Sequence, residues 1–370
     1  MDREPEYCYQ EEICNIPDEI PDIIEENSTC AADYRERPIL GESNQTVNMP
    51  DYVAEQLNSI DQFTKEIQSD NHGFDTGWSG LNKALNKLQA GFHVVAGDSN
   101  IGKSSWLSML EWNIYNNNPD AYVLSFSLDD PLKDKLARIL AAANKVLINA
   151  VSNPNAYKDS HPILYTRVFH GIEMLKQAAW RYRAVDSTAF GTDIEDITDE
   201  IKRMCIKLKS QSTPLKLVVI IDNFHDLTTA NTMVVGNDKN KYDYIAQTVS
   251  DLANTLGIPI ICTAELRKLN NYKRPTKEDI RETVKIKYEA KSILVCYNEV
   301  GLKGEAAACY WERKGVVEKQ PVYEVKVDKN KYNSYKGRLF FEMYPEMAYF
   351  EEANAARTAI YTQAVYNTDH

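Results

Sequence analysis

Two hydrophobic periods alternate along the chain. From residue 92 onward, short apolar runs at Phe92–Ala96, Tyr122–Leu128, Tyr182–Val185, Leu217–Asp222, Pro259–Glu265 and Ile293–Asn298 have the length and composition of buried strands. Between them, residues 103–117, 131–149, 193–210 and 241–256 carry apolar positions at helical spacing. This alternation predicts right-handed βαβ crossovers and an α/β fold: a mostly parallel sheet with helices on both faces. Three more apolar runs, near 307–313, 322–328 and 338–343, have no helix between them and predict an antiparallel extension of the sheet. Residues 353–370 are polar and irregular and read as a tail.

Upstream the pattern changes. Within residues 49–71, Val53, Leu57, Ile60, Phe63 and Ile67 recur at helical spacing on an otherwise polar segment. This predicts an amphipathic helix that needs a groove, in its own domain or in a neighbour. Residues 1–48 show no sustained period and carry three prolines in the first 21 positions. Charge sharpens the contrast. The first 50 residues hold 13 Asp and Glu against 3 Arg, so they supply −10 of the chain's net −12 and leave −2 for the rest. Residues 1–48 therefore read as a flexible acidic arm, whose patches at Ile13, Ile16, Ile20, Ile23 and Ile24 either dock on a partner or belong to a solvating tail. The near-neutral remainder gives no positive sign of nucleic-acid binding, although Lys and Arg can still line a local channel.

Composition narrows the class further. Apolar residues make up 43% and charged residues 26%, as in a soluble globular protein. No apolar run approaches bilayer length, so no membrane association is expected. The start of the chain lacks the features of a signal peptide. Seven cysteines without a C-x-x-C pair suit reduced thiols in a cytoplasm.

The strongest chemical signal is Gly97-Asp98-Ser99-Asn100-Ile101-Gly102-Lys103-Ser104, which fits G-x-x-x-x-G-K-[ST] between a strand and a helix. Glycines let backbone amides approach phosphate, and the helix N-terminus favours negative charge. Residues Gly97 to Ser105 are thus expected to hold ATP, with Lys103 on the β/γ-phosphates and Ser104 on Mg²⁺. The strand Leu217–Asp222 ends in a carboxylate, and ligands of such sheets sit beyond the strands' carboxyl ends. Asp222 is accordingly expected in the Mg²⁺ shell; a simple turn residue is the alternative.

Further segments, in order, resemble the C-terminal domain of the DnaB-like replicative helicases over about residues 72–352. They are Asp75-Thr76-Gly77-Trp78 with Leu81-Asn82-Lys83, Phe126-Ser127-Leu128-Asp129-Asp130-Pro131, Ile221-Asp222-Asn223-Phe224 and Ala264-Glu265-Leu266-Arg267. Arg274-Pro275 with Asp279-Ile280-Arg281-Glu282, Lys329-Asn330-Lys331 and Arg338-Leu339-Phe340-Phe341 complete the series. The resemblance implies a RecA-like P-loop NTPase core in a ring, usually of six subunits. Such rings bind ATP between neighbours, hydrolyse it and translocate on single-stranded DNA during replication, as in phage-type helicases. It further implies that Asp129 activates the attacking water, Glu265 senses the γ-phosphate, and Lys331 with Lys329 reaches the neighbour's ATP. Arg281, Glu282, Thr283 and Val284 would face DNA; independently of the resemblance, the composition of Leu269–Lys277, with Tyr272, Lys273 and Arg274, suits a basic DNA-binding loop with one stacking ring or a mobile solvated loop. The helix within 49–71 would link adjacent subunits, and the acidic arm would stand where primase, loader or polymerase could bind.

Plainer readings stay open. Asp129 could cap the following helix, Glu265 could merely end its strand, Lys329 and Lys331 could lie in a solvated hairpin, and Arg281 with Glu282 could form a surface pair. Four positions depart from the family pattern: Asp129 for glutamate, Glu265 for glutamine, Lys331 for arginine and Val284 for glycine. Lysine lacks arginine's two-pronged grip on phosphate. An alternative function is therefore a RecA-like paralogue that binds ATP as an assembly or regulatory signal and unwinds little.

Overall fold

The computed structural model describes residues 51–68, 73–269, 273–282 and 284–369. The acidic arm, Tyr272 and Thr283 lie outside them. Two compact units divide the chain, Met1–Asp70 and Asn71–His370. In the first, the expected amphipathic helix is α1 (Asp51–Gln68). Its apolar positions Leu57, Ile60, Phe63 and Ile67 are between 42% and 59% exposed. Among the described residues these positions leave an apolar stripe of the helix exposed.

The second unit opens with α2 (Ser79–Leu85), β1 (Gly91–Gly97), α3 (Lys103–Asn117), β2 (Ala121–Ser127), α4 (Leu132–Asn144) and α5 (Ile148–Ser152). It continues through α6 (Pro162–Ala178), β3 (Tyr182–Asp186), α7 (Ser187–Phe190), α8 (Ile194–Lys209), β4 (Lys216–Asp222) and α9 (Asp238–Leu256). Then follow β5 (Pro259–Glu265), α10 (Lys285–Glu289), β6 (Ser292–Asn298) and α11 (Glu299–Lys303). The chain closes with β7 (Tyr310–Trp311), β8 (Gln320–Asn330), β9 (Arg338–Tyr344), β10 (Tyr349–Glu352) and α12 (Ala355–Asp369). One sheet runs β10-β9-β8-β6-β1-β5-β4-β2-β3, with β7 added on β8. Strands β1 to β6 pair in parallel, and β8 and β9 extend the sheet antiparallel, as the hydrophobic pattern predicts; the run near 307–313 yields only the two-residue β7, and β10 is an added antiparallel strand that the pattern does not predict.

Both faces of the parallel strands are buried. Within β4, Leu217, Val219 and Ile221 pack with Ile197 and Ile201 of α8 and Ile245 and Val249 of α9. The alternate residues, Val218 and Ile220, join Trp106, Leu107 and Ile114 of α3 on the other face. Trp78 stacks on Trp106 at a centroid distance of 5.0 Å, fixing the segment before β1 against that helix. Among the described residues, no helix is long and apolar enough to cross a membrane.

Among the elements that the sequence pattern does not predict are two longer helices, α6 and α12. Helix α6 lies outside the expected helical stretches although Leu164, Val168, Ile172 and Leu175 recur at helical spacing; these residues pack with Leu140 and Ala141 of α4. Close approach there depends on Gly171, where a Cβ would lie 2.8 Å from the Leu140 side chain. The expected polar tail is a correction: residues 355–369 form α12, which packs Tyr361 and Val365 on Phe340 and Trp311. Two buried residues one turn apart give too faint a period to read. The Tyr361 hydroxyl also donates to Glu342 at 2.6 Å, a partner that becomes near only when β9 is in place.

An ion pair between two helices is fully enclosed: Lys135 of α4 meets Glu111 of α3 at 2.6 Å with both side chains at most 2% exposed. The Tyr182 hydroxyl donates to the other Glu111 oxygen at 2.8 Å. Removing one partner strands a buried charge, so Lys135→Met is expected to destabilise by about 3–5 kcal/mol. Combining it with Glu111→Leu should recover much of that loss, as measured by urea unfolding.

Candidate nucleotide-binding site

All seven residues of β1 are buried, and the strand delivers Gly97 to the sheet's carboxyl edge. The chain then loops through residues 98–102 and enters α3 at Lys103. Gly102 has a φ of 103°, and a Cβ there would lie 2.9 Å from Met343 Cε, so glycine is required at this bend. The Lys103 ammonium folds back and donates to the Asp98 carbonyl at 2.7 Å, so the loop curls around it. No acidic residue occupies the first turn of α3, leaving its unpaired amides facing the loop. An ammonium, a ring of backbone amides and a helix N-terminus form a donor set suited to polyphosphate.

Register sets the remaining groups in a row. Gly97 is level with Glu265 of the adjacent β5, and Asp222 at the end of β4 is level with Ser127 at the end of β2. Asp222 is 4% exposed and accepts a hydrogen bond from the Thr263 hydroxyl. Burial lowers the Lys103 pKa, opposed chiefly by the negative charges of Glu265 and Asp222. Burial raises the Asp129 pKa, reinforced by Asp130, Asp222 and Glu265. The helix-cap reading of Asp129 fails: the Leu132 amide donates to Asp186 at 2.9 Å, and Asp130 pairs with Arg138 at 2.7 Å.

Beyond β5 the chain doubles back, with an antiparallel bridge between Leu266 and Ile280. Glu265 accepts from the Ser99 hydroxyl at 3.4 Å and meets Arg281 Nη1 at 3.2 Å. The strand-end carboxylate therefore touches both the phosphate loop and the returning segment. Lys273 and Val284 are exposed, and Val284 has an ordinary helical φ of −79°. The left-handed conformation in this segment falls on Glu282, at φ 65°.

Arg274 corrects the sequence reading. It is buried, not offered to DNA: its guanidinium meets Glu324 at 2.8 Å and Glu299 at 3.1 Å, donates to Thr368 at 2.7 Å, and lies 5.1 Å from the Tyr297 ring. Those partners stand on β8, α11, α12 and β6, too distant in sequence for local spacing to reveal them. Two further residues at the site carry no sequence signal. His225 and Asp226 occupy the turn just after Asp222, and no period or motif marks them. Burial and the charges of Asp129, Glu265 and Asp222 push Asp226 up to about 6.

Lys329 and Lys331 stand elsewhere. Asn330 is level with Ser292, itself level with His93 near the start of β1. The phosphate loop begins four residues further along β1, about 13 Å away. Lys329 donates to the Lys287 and Tyr288 carbonyls, and Lys331 to the Tyr288 carbonyl at 3.4 Å. Burial and neighbouring lysines lower the Lys329 pKa to about 8. Asn330 and Tyr332 tie the hairpin to the Ala84 and Ala90 carbonyls at 2.7 and 2.9 Å, so it is no loose solvated turn.

By fold and site, the second unit is a RecA-like P-loop domain. Residues 73–352 match the DnaB-like helicase C terminal domain, and the chain belongs to that family. A probable replicative DNA helicase of Trieres chinensis is 24% identical over 223 residues, covering 58% of this chain and 46% of that relative. The chain thus spans about half the length of that curated relative. Among solved structures, an isolated ATPase domain has a TM-score of 0.67 at 18% identity, covering 82% of this chain and 99% of that one. A DnaB-like replicative helicase studied for its interactions with primase has a TM-score of 0.65 at 17% identity, covering 90% and 73%.

The carboxylate cluster has a pH signature. Asp226 binds its proton more tightly folded than unfolded, so its charge penalises the fold fully above about pH 6 and not at all well below pH 4. Asp226→Asn is expected to raise the melting temperature at pH 8 and leave it unchanged at pH 3.5; equal shifts at both would show that charge is not the cause.

Proposed function

We propose that this chain is the ATP-hydrolysing motor of a ring-forming replicative DNA helicase that translocates on single-stranded DNA. The observation carrying this reading is the phosphate loop between β1 and α3, curled on Lys103, with Glu265 level with Gly97 and bonded to Ser99, and Asp222 at the end of β4. Gly97 to Ser105 would hold the triphosphate, with Ser104 and Asp222 as protein ligands of Mg²⁺ and the remaining ligands supplied by phosphate and water. ATP supplies the phosphoryl group that passes to water. Asp129, made more basic by burial, takes the water's proton. Glu265 reports on the γ-phosphate side through Ser99, and Arg281 with the exposed segment 281–284 and Lys273 contacts DNA phosphates. Lys331, with Lys329, completes the site of an adjacent copy, because its own phosphate loop lies at the other end of the sheet.

The ring draws on α1. Its exposed Leu57, Ile60, Phe63 and Ile67 match an apolar groove of about 840 Å³ between α4, α5 and α6, lined by Leu136, Leu140, Val151, Ile172 and Leu175. In this reading α1 of one copy enters the groove of the next. Primase, loader or polymerase would engage the acidic arm. The replacements Glu265 and Lys331 also favour a second reading, an ATP-regulated assembly factor with little unwinding.

ATP turnover with and without single-stranded DNA, run beside a forked-duplex unwinding assay, separates the two. The helicase reading expects slow, DNA-stimulated turnover and unwinding; nucleotide-driven assembly without unwinding favours the regulatory factor. Asp129→Asn is expected to reduce turnover by about 10²–10⁴-fold, and undiminished turnover would remove Asp129 from catalysis. Removing residues 1–68 should leave a folded monomer. At about 1.5–3 kcal/mol per buried apolar side chain, four such residues contribute several kcal/mol to each interface. Light scattering that still finds ATP-dependent rings would place the α1 contact inside its own chain.

A further inference from the structure

The end of β5 and the returning segment are joined by an imidazole as well as by their own ladder. The Glu265 amide donates to His225 Nδ1 at 3.1 Å. The opposite ring nitrogen, Nε2, lies 3.3 Å from the Arg281 carbonyl. A neutral histidine has one donor and one acceptor, and these partners fix which is which: the amide requires an acceptor at Nδ1, so Nε2 carries the proton. Burial holds the His225 pKa below the usual imidazole value, in keeping with the neutral form.

The ring itself is held from the third side. His225 lies three residues after Asp222, its amide donates to Asn223 Oδ1 at 3.0 Å, and its carbonyl accepts from the Tyr242 hydroxyl of α9 at 2.9 Å. The Tyr242 ring also meets the imidazole edge-on at a centroid distance of 5.3 Å. A cavity of about 220 Å³ beside it is lined by Asp226, Asp238, Tyr242, Glu265, Arg281 and Glu282. Movement at the end of β4 or β5 must therefore displace the Arg281 backbone or break an imidazole hydrogen bond. The Arg281–Glu265 ion pair runs alongside, but its side chains are 52% and 28% exposed and it weakens with salt.

We propose that His225 is a positioning residue that couples the nucleotide site to the Arg281 segment, and through it to single-stranded DNA. This rests on the proposed function, in which Glu265 faces the γ-phosphate and Arg281 faces DNA. Coupling between two ligands is reciprocal, so it can be measured from either side. The test uses the full chain, a fluorescein-labelled oligothymidine and a non-hydrolysable ATP analogue. Each affinity is determined by anisotropy or fluorescence with and without the other ligand.

Wild type is expected to bind the oligonucleotide about tenfold more tightly with the analogue present, within the usual range of such coupling. His225→Leu, similar in bulk but lacking both hydrogen bonds, should bring that ratio to about one while keeping each separate affinity within roughly threefold. His225→Gln, whose amide supplies a donor and an acceptor, should retain the coupling. A His225→Leu ratio equal to wild type overturns the coupling role and leaves the helicase reading intact. Loss of both separate affinities in His225→Leu also overturns it, by making His225 a residue of the fold alone. Absence of DNA binding or of coupling in wild type overturns both readings together.

Discussion

One half-buried ammonium among carboxylates governs the second unit. Lys103 sits at the N-terminus of a helix, is desolvated, and is stabilised in its charged form by Glu265 and Asp222. Neither side of that arrangement is comfortable alone. Without the carboxylates a buried lysine tends to lose its proton; without the lysine, Asp129, Asp222, Asp226 and Glu265 crowd like charges at one sheet edge. In the proposed function, a bound triphosphate with magnesium would change this balance by adding charge of both signs. The raised values of Asp129 and Asp226 arise first from burial and then from the neighbouring carboxylates.

The sheet makes that convergence possible. Parallel strands in the order β6-β1-β5-β4-β2 place Gly97, Glu265, Asp222 and Ser127 along one edge. Each strand is buried on both faces, so register is fixed by packing and the side chains at the strand ends have little choice of position. The antiparallel strands carry Lys329 and Lys331 to the opposite edge. If Lys331 reaches a phosphate, as proposed, it must be that of another copy, and the exposed apolar positions of α1 would then supply a means of association.

Much of this was legible in local sequence. The parallel core followed from apolar runs such as Leu217–Ile221, and the phosphate loop from glycine and lysine spacing between a strand and a helix. The features that local pattern hides depend on residues remote in sequence. Arg274 reads as one basic residue in a basic loop, yet its fate is decided by Glu299, Glu324 and Thr368. Helix α12 hides because only Tyr361 and Val365 mark its buried side. His225 has no period or motif, and its role appears when Glu265 and Arg281 are found on either side of its ring. Val284, which departs from the glycine of the family pattern, adopts an ordinary helical backbone, while the left-handed residue of this segment is Glu282.

The central claim is that one nucleotide site is built from two copies of the chain. It is tested most directly by mixing two variants that should each be inactive, Lys103→Ala and Lys331→Ala, and measuring ATP turnover with single-stranded DNA. In a mixed ring, an intact phosphate loop from one variant meets an intact Lys331 from the other, so turnover should reappear on mixing. A mixture as inactive as its components, under conditions where wild-type and variant subunits co-assemble, would contradict a shared site.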